Sequence, residues 1–147
     1  IGYETQVPPI STLTFYNAIA NGGKMVAPRF VKAVMKDGVV IKEFDPVVLR
    51  EQIAKESTIK KITTILEHVV SQGLGKKAGS PSFLVAGKTG TAQVSDSTDQ
   101  TNAWFVGYGK KDGYNDLAIA VVVEDSGAGS TYAVPVAKKV FDKYFNE

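Results

Sequence analysis

The second half of this chain constrains its fold most, because three strand-like runs and a helix follow one another there with short connections. Residues 83–91 (FLVAGKTGT), 103–110 (AWFVGYGK) and 116–124 (DLAIAVVVE) are rich in β-branched, aromatic and small apolar residues. Lys111-Asp112-Gly113 joins the last two, and a short glycine-containing link between such runs is a hairpin signal. Residues 125–130 follow as a glycine-rich turn. Residues 134–145 then read as a terminal amphipathic helix with Val136, Val140, Phe141 and Tyr144 on one side.

The first half supplies what packs on that sheet. Pro8-Pro9 punctuates an extended start, and residues 10–21 read as a helix whose apolar residues nearly encircle it, so it is expected to be buried. Asn21-Gly22-Gly23 offers positive-φ residues to end it. Two β-rich runs, residues 25–35 and 39–44, flank Lys36-Asp37-Gly38, and Asp-Gly between β-branched segments predicts a hairpin. Asp45-Pro46 closes the hairpin, and residues 47–55 are an ambiguous connector. Residues 57–72 form the clearest helix, with Ile59, Ile62, Ile65, Leu66, Val69 and Val70 at steps of three and four. Ser57 is its expected N-cap and Gly73 its C′ residue. Residues 73–82 read as a flexible basic loop. The order predicts an α+β fold: an antiparallel sheet of about three core strands with packed helices, plus a separate β-hairpin.

Composition narrows the chemistry. The chain has 147 residues, 44% hydrophobic and 22% charged, which suits one globular unit and excludes wholesale disorder. With no cysteine there is no disulfide framework and no zinc–thiolate site, and the single histidine, His68, leaves no His-rich metal centre. A net charge of +2 spread over scattered lysines does not indicate a nucleic-acid partner.

One motif carries chemistry. Lys88-Thr89-Gly90-Thr91 ends the apolar strand Phe83-Leu84-Val85-Ala86. The lysine supplies a fixed positive charge, and the threonine hydroxyls can hydrogen-bond a carboxylate. Gly90 permits close approach to the strand, and free N–H groups beyond it can stabilise an oxyanion. The bland alternative is a charged strand end followed by a glycine bulge. A phosphate-binding loop is the competing reading, since residues 82–89 (SFLVAGKT) fit GxxxxGK[ST] apart from Ser82. Its mechanics fail, because a phosphate cradle needs a flexible turn entering a helix, whereas Phe-Leu-Val-Ala favours a strand and Gly90 discourages a helix.

Lys88-Thr89-Gly90-Thr91-Ala92-Gln93, followed by Asn102-Ala103-Trp104-Phe105-Val106-Gly107-Tyr108, resembles the C-terminal part of a penicillin-binding protein transpeptidase domain. Gly2-Tyr3, Gln6-Val7, Pro9, residues 13–21 and Gly23-Lys24-Met25-Val26 extend the resemblance to the class B, monofunctional enzymes of the division-associated type. It covers essentially all 147 residues. Pro8-Pro9-Ile10-Ser11 departs locally, where relatives usually carry Thr-Pro-Leu-Gln. The resemblance implies a β-lactamase/transpeptidase-like fold and a peptidoglycan D,D-transpeptidase acting by serine acyl transfer. It further implies D-Ala-D-Ala stem peptides and β-lactams as ligands, no cofactor and no metal. The parent protein would lie on the periplasmic or extracytoplasmic face, anchored in the inner membrane by a segment not present here. Lys88 would place charge near nucleophile and substrate, with Thr89, Gly90 and Thr91 binding the substrate carboxylate.

The family's S-x-x-K nucleophile motif and S-x-N motif lie upstream of the matching segment in relatives. Ser57-Thr58-Ile59-Lys60 spells S-x-x-K, but a helix-capping serine explains it better, and no S-x-N occurs. The expectation is therefore a C-terminal portion of such a domain, residues 1–147, carrying one wall of the active site, lacking the nucleophile and inactive alone. Ile1 in place of a starting Met fits a piece of something longer. Alternatives are a non-catalytic interaction module of a wall-synthesis complex, or a β-lactamase or β-lactam-sensor relative. His68 reads as a partly exposed structural histidine, Trp104 and Phe105 as core, and Lys76-Lys77 and Lys138-Lys139 as solvated lysines. Arg29 is open between a structural ion pair and a surface charge. In the family fold, N-terminal strands pair beside the last strand. Without them residues 116–124 would expose an edge, predicting a homodimer or swapped assembly.

Overall fold

The computed structural model describes residues 7–94 and 99–146. Gly2, Tyr3 and Gln6, which enter the resemblance above, lie outside the described residues, as does Ile1. The elements run α1 (Pro9–Ala20), β1 (Met25–Val26), β2 (Ala33–Lys36), β3 (Val39–Glu43), β4 (Val48–Arg50), α2 (Glu56–Ser71), β5 (Leu84–Gln93), β6 (Thr101–Lys110), β7 (Leu117–Val123) and α3 (Gly129–Asn146). A 3₁₀ turn over Lys76–Ala78 interrupts the loop that the glycines and lysines of residues 73–82 suggested.

The central sheet is antiparallel in the order β5-β6-β7, as expected for three consecutive strands without a helical crossover. Facing side chains sort it into two sides. Val85, Ala103 and Phe105 point toward α3, where they meet Ala133, Val134, Ala137, Phe141 and Phe145 in the main core. Ala86 and Tyr108 point the other way, toward Ile19 of α1 and Leu66 of α2. Phe105, Phe141 and Phe145 are fully buried, each contributing about 1.5–3 kcal/mol by leaving water. Glycines let these rings close on the strands: a Cβ at Gly109 would lie 2.6 Å from the Phe145 ring.

Several local expectations change. The run 25–35 splits into β1 and β2, with Pro28, which has no N–H for a ladder, in the gap. The ambiguous connector contains β4, which pairs with β1. The β2–β3 hairpin forms around Asp37 (φ 49°) and Gly38 (φ 81°), the left-handed pair that a two-residue hairpin turn needs. Helix α1 is not buried throughout: Ala18 and Ile19 are buried, but Ile10 and Phe15 are exposed, because only one side of the helix meets the sheet. Helix α2 starts at Glu56 with Lys55 as its cap residue and no side-chain cap, so Ser57 sits in the first turn and not at the N-cap. Its apolar stripe is wider than its contact, and Ile62 and Ile65 remain exposed. Gly73 does follow the helix without adopting positive φ; a Cβ there would lie 2.9 Å from the Val69 carbonyl oxygen.

Helix α3 begins at Gly129, five residues ahead of the expected start, and runs through Pro135. Its buried side is Ala133, Val134, Ala137, Phe141 and Phe145, whereas Val136, Val140 and Tyr144 are exposed. Ala133 and Ala137 are small enough to let the helix approach the sheet, and Phe141 and Phe145 fill the space beside them. No helix among the described residues is long and apolar enough to cross a membrane.

Candidate active site

The Lys88-Thr89-Gly90-Thr91 run lies within β5, an edge strand of the central sheet. β5 continues as a strand through Gln93, so the helix entry that a phosphate-binding loop requires is not there. Gly87 and Gly107 face each other so closely that a Cβ on Gly107 would lie 2.8 Å from the Gly87 Cα. Further along the same register the Val94 N–H donates to the Gln100 carbonyl at 2.9 Å, so Lys88, Gly90 and Ala92 sit in hydrogen-bonded pairs and Gly87 in a non-hydrogen-bonded one. By alternation, the backbone N–H and C=O groups of Thr89 and Thr91 point away from β6, toward the free edge. The Lys88 ammonium fits this polarity, donating a hydrogen bond to the Thr89 carbonyl oxygen at 2.8 Å.

The side chains divide between the two faces. Lys88 is exposed and lines a cavity of about 350 Å³ between α1, α2 and the sheet, with Phe15, Tyr16, Ile59, Ile62 and Leu66 among its walls. Among the described residues Lys88 is the one charged residue lining this otherwise largely apolar space, a setting in which an ammonium attracts anions more strongly than in open water. Burial raises the Tyr16 phenol above its ordinary pKa, which keeps it neutral beside the lysine. Thr89 turns toward α3 and is 7% exposed. Thr91 shares that face but is exposed, so of the two hydroxyls its is the one open to a ligand.

Gly90 makes room for Trp104 as well as for close approach, since a Cβ there would lie 3.3 Å from the Trp104 Cβ. Trp104 is half-buried above this glycine, and Phe105 is core, as expected. Behind the strand, the N–H of Gly129, the first residue of α3, donates to the Thr91 Oγ1 at 3.4 Å. The sequence reading passed over Gly129, although Gly127-Ala128-Gly129 after a strand is a signal for close backbone packing.

The remaining candidates lie apart from this run. Ser57 and Lys60 are exposed, and the Lys60 ammonium is 2.6 Å from the Glu56 carboxylate. The hydrogen bond and charge of Glu56 raise the Lys60 pKa, the opposite of what a proton-accepting lysine requires. His68 is exposed in the last turn of α2. Lys76 and Lys77 are exposed, while Lys138 pairs with Asp142 and lies over the Phe83 ring. Arg29 is exposed and makes no ion pair among the described residues; it donates to the Phe44 carbonyl and ties the base of the β2–β3 hairpin.

The Lys88-to-Thr91 run thus lies on a sheet edge packed between helices on both faces. The family model for the penicillin-binding protein transpeptidase domain matches residues 1–142. The chain belongs to that family. Peptidoglycan D,D-transpeptidase MrdA of Haemophilus influenzae is 29% identical over 99% of this chain and 25% of its own length. Penicillin-binding protein 3 of Bacillus subtilis is 34% identical over 94% of this chain and 20% of its own length. The chain thus spans a quarter or less of these curated relatives. The solved structure of Pseudomonas aeruginosa PBP2 superposes with a TM-score of 0.76 at 29% identity, covering 97% of this chain and 31% of that one. The resemblance to class B penicillin-binding proteins and the transpeptidase-like fold are borne out.

Proposed function

We propose that this chain forms the substrate-carboxylate wall of a peptidoglycan D,D-transpeptidase. The observation that carries the reading is the Lys88-to-Thr91 run on a free sheet edge, with the Thr89 and Thr91 backbone groups turned outward and an exposed threonine hydroxyl beside them. In the reaction, a serine oxygen attacks the carbonyl between the two D-alanines of a stem peptide. The C–N bond breaks, the terminal D-Ala leaves with a proton as an amine, and the ester passes its acyl group to an acceptor amine. Thr91 donates to the terminal carboxylate, its N–H faces the developing oxyanion, and Lys88 supplies positive charge toward both. Thr89 contributes through its backbone at the edge. A β-lactam, whose ring carbonyl and carboxylate mimic the peptide, occupies the same wall, and a peptidoglycan substrate puts the work on the extracytoplasmic side of the membrane.

The nucleophile is not Ser57 in this reading. Its surface position and the Glu56-held charge on Lys60 support that assignment. Incubation with a fluorescent penicillin tests it: the 147-residue chain is expected to stay unlabelled. Covalent labelling that disappears in Ser57→Ala would sink the reading. In a transpeptidase containing this sequence and a nucleophile, Lys88→Ala is expected to slow acylation roughly ten- to a hundredfold, the worth of a hydrogen bond to a charged group. We also propose that the outer edge of β7, which no strand covers among the described residues, pairs with a second copy of the chain.

A further inference from the structure

Thr91 and the start of α3 meet behind the edge strand in a way the transpeptidase reading does not require. We propose that Gly129, at the N-terminus of α3, is a positioning residue that fixes the direction in which the Thr91 hydroxyl donates its proton. The inference rests on the reading of Thr91 as a ligand of the substrate carboxylate and deepens it.

A threonine hydroxyl has one proton and two acceptor lone pairs, whereas a carboxylate only accepts. Binding therefore depends on where the single Thr91 proton points. Turned inward onto a chain carbonyl, it would leave a lone pair facing the substrate anion, which repels. The Gly129 N–H prevents this by occupying the inner side of Thr91 Oγ1 as a donor, at 3.4 Å. As one of the first N–H groups of an 18-residue helix, it has no acceptor within the helix and carries part of the helix's positive end. With a donor on the inside, the favourable use of the hydroxyl proton is outward, toward the exposed side of Thr91.

An independent feature shows how tightly the helix end is seated. Gly129 is buried, and a Cβ on it would lie 2.4 Å from both the Gly90 and Trp104 carbonyl oxygens. No other residue lets the helix begin at this depth over the Gly90–Trp104 pair. The same glycine therefore sets the distance from helix end to hydroxyl.

The test uses the intact transpeptidase that carries this sequence together with a serine nucleophile. Acylation rate constants are measured for a penicillin and for the methyl ester of the same penicillin, and their ratio is the readout. Gly129→Ala is the obvious variant, but the added carbon can disturb folding. The second variant replaces Gly129 with glycolic acid by semisynthesis, which removes the N–H and adds no bulk; its melting temperature is recorded alongside. Thr91→Val, Thr91→Ser and the combination of glycolic acid with Thr91→Val complete the set.

The glycolic acid variant is expected to lower the acid-over-ester preference by up to about tenfold, the range of one neutral hydrogen bond. Thr91→Ser should keep the preference, and Thr91→Val should lose at least as much as the glycolic acid variant. The combined variant should fall no further than Thr91→Val alone. An unchanged ratio in the glycolic acid variant, or losses that multiply in the combination, would overturn the role of Gly129. Failure of the underlying reading looks different: Thr91→Val would then leave the ratio at its starting value.

Discussion

Tyr108 shows how much a single residue can tell. It is fully buried on the α2 side of the sheet, and its hydroxyl has no hydrogen-bond partner among the described residues. A buried polar group without a partner costs about 1–3 kcal/mol, so Tyr108→Phe is expected to leave stability unchanged or raise it by up to about 1 kcal/mol. A loss above about 1 kcal/mol on urea denaturation would show that the hydroxyl has a partner after all. Burial, the main cause, raises the Tyr108 pKa; nearby Thr63 opposes it, and the Glu67 and Asp116 charges raise it by less. Burial raises Tyr16 as well. The folded chain therefore holds these two protons to higher pH than the unfolded chain does. Their contribution is full below the ordinary phenol pKa of about 10 and is lost as pH rises through the folded values. Absorbance titration of Tyr16→Phe and Tyr108→Phe against the unaltered chain should show that the signal each variant loses lies above the ordinary phenol range, with stability falling over that alkaline range. Loss of signal at the ordinary phenol pKa in either variant would contradict this. Nothing in the sequence singled out Tyr108, since its burial is decided by α1 and α2 closing over it.

Among elements, β5 and β6 were legible because a run of apolar residues with a hairpin-compatible order admits little else. Their exact approach was not. It depends on Gly87 and Gly107 lying opposite each other, and a Cβ on Gly107 would sit 2.3 Å from the Ala86 carbonyl oxygen. Gly107→Ala is expected to destabilise the chain by about 1–3 kcal/mol, as overpacking does, and to loosen β5. Amide exchange along β5 that stays as slow as in the unaltered chain would speak against this. Helix α3 was legible in existence but not in orientation. Val136, Val140, Phe141 and Tyr144 suggested one face, but of these only Phe141 turns inward, where it fills the space left by Gly109 in β6 together with Phe145. A reading weighted by side-chain size misses contacts whose fit depends on small residues. The same blindness hid Gly129, whose role exists only when α3 and β5 are brought together. Strand β4 was missed because three residues of a short two-stranded pair carry no period long enough to recognise.

For the molecule as a whole, the motif and family were legible, while the exposure of its surfaces depends on what packs against the chain. β7 borders only β6 in the described sheet, and all seven of its residues are half-buried. A strand edge with free N–H and C=O groups recruits another strand, and this one has little charge along it to discourage pairing. The pair Gly107–Ile119 lies in register with Gly87–Gly107. Since Gly107 turns its backbone groups away from β5, it turns them toward Ile119. By alternation Ala118, Ala120 and Val122 direct their N–H groups outward. Proline at such a position removes an outward donor while sparing the ladder to β6. Ala120→Pro is therefore expected to abolish self-association and keep the fold. The unaltered chain should sediment with a mass that rises toward a dimer as concentration increases, and Ala120→Pro should remain at monomer mass with an unchanged far-ultraviolet circular dichroism spectrum. A monomer at every concentration for the unaltered chain would remove the edge as an association site. A dimer that persists in Ala120→Pro would move the interface elsewhere, and the apolar outer side of α3, with Val136, Val140 and Tyr144 exposed, would be the next surface to alter.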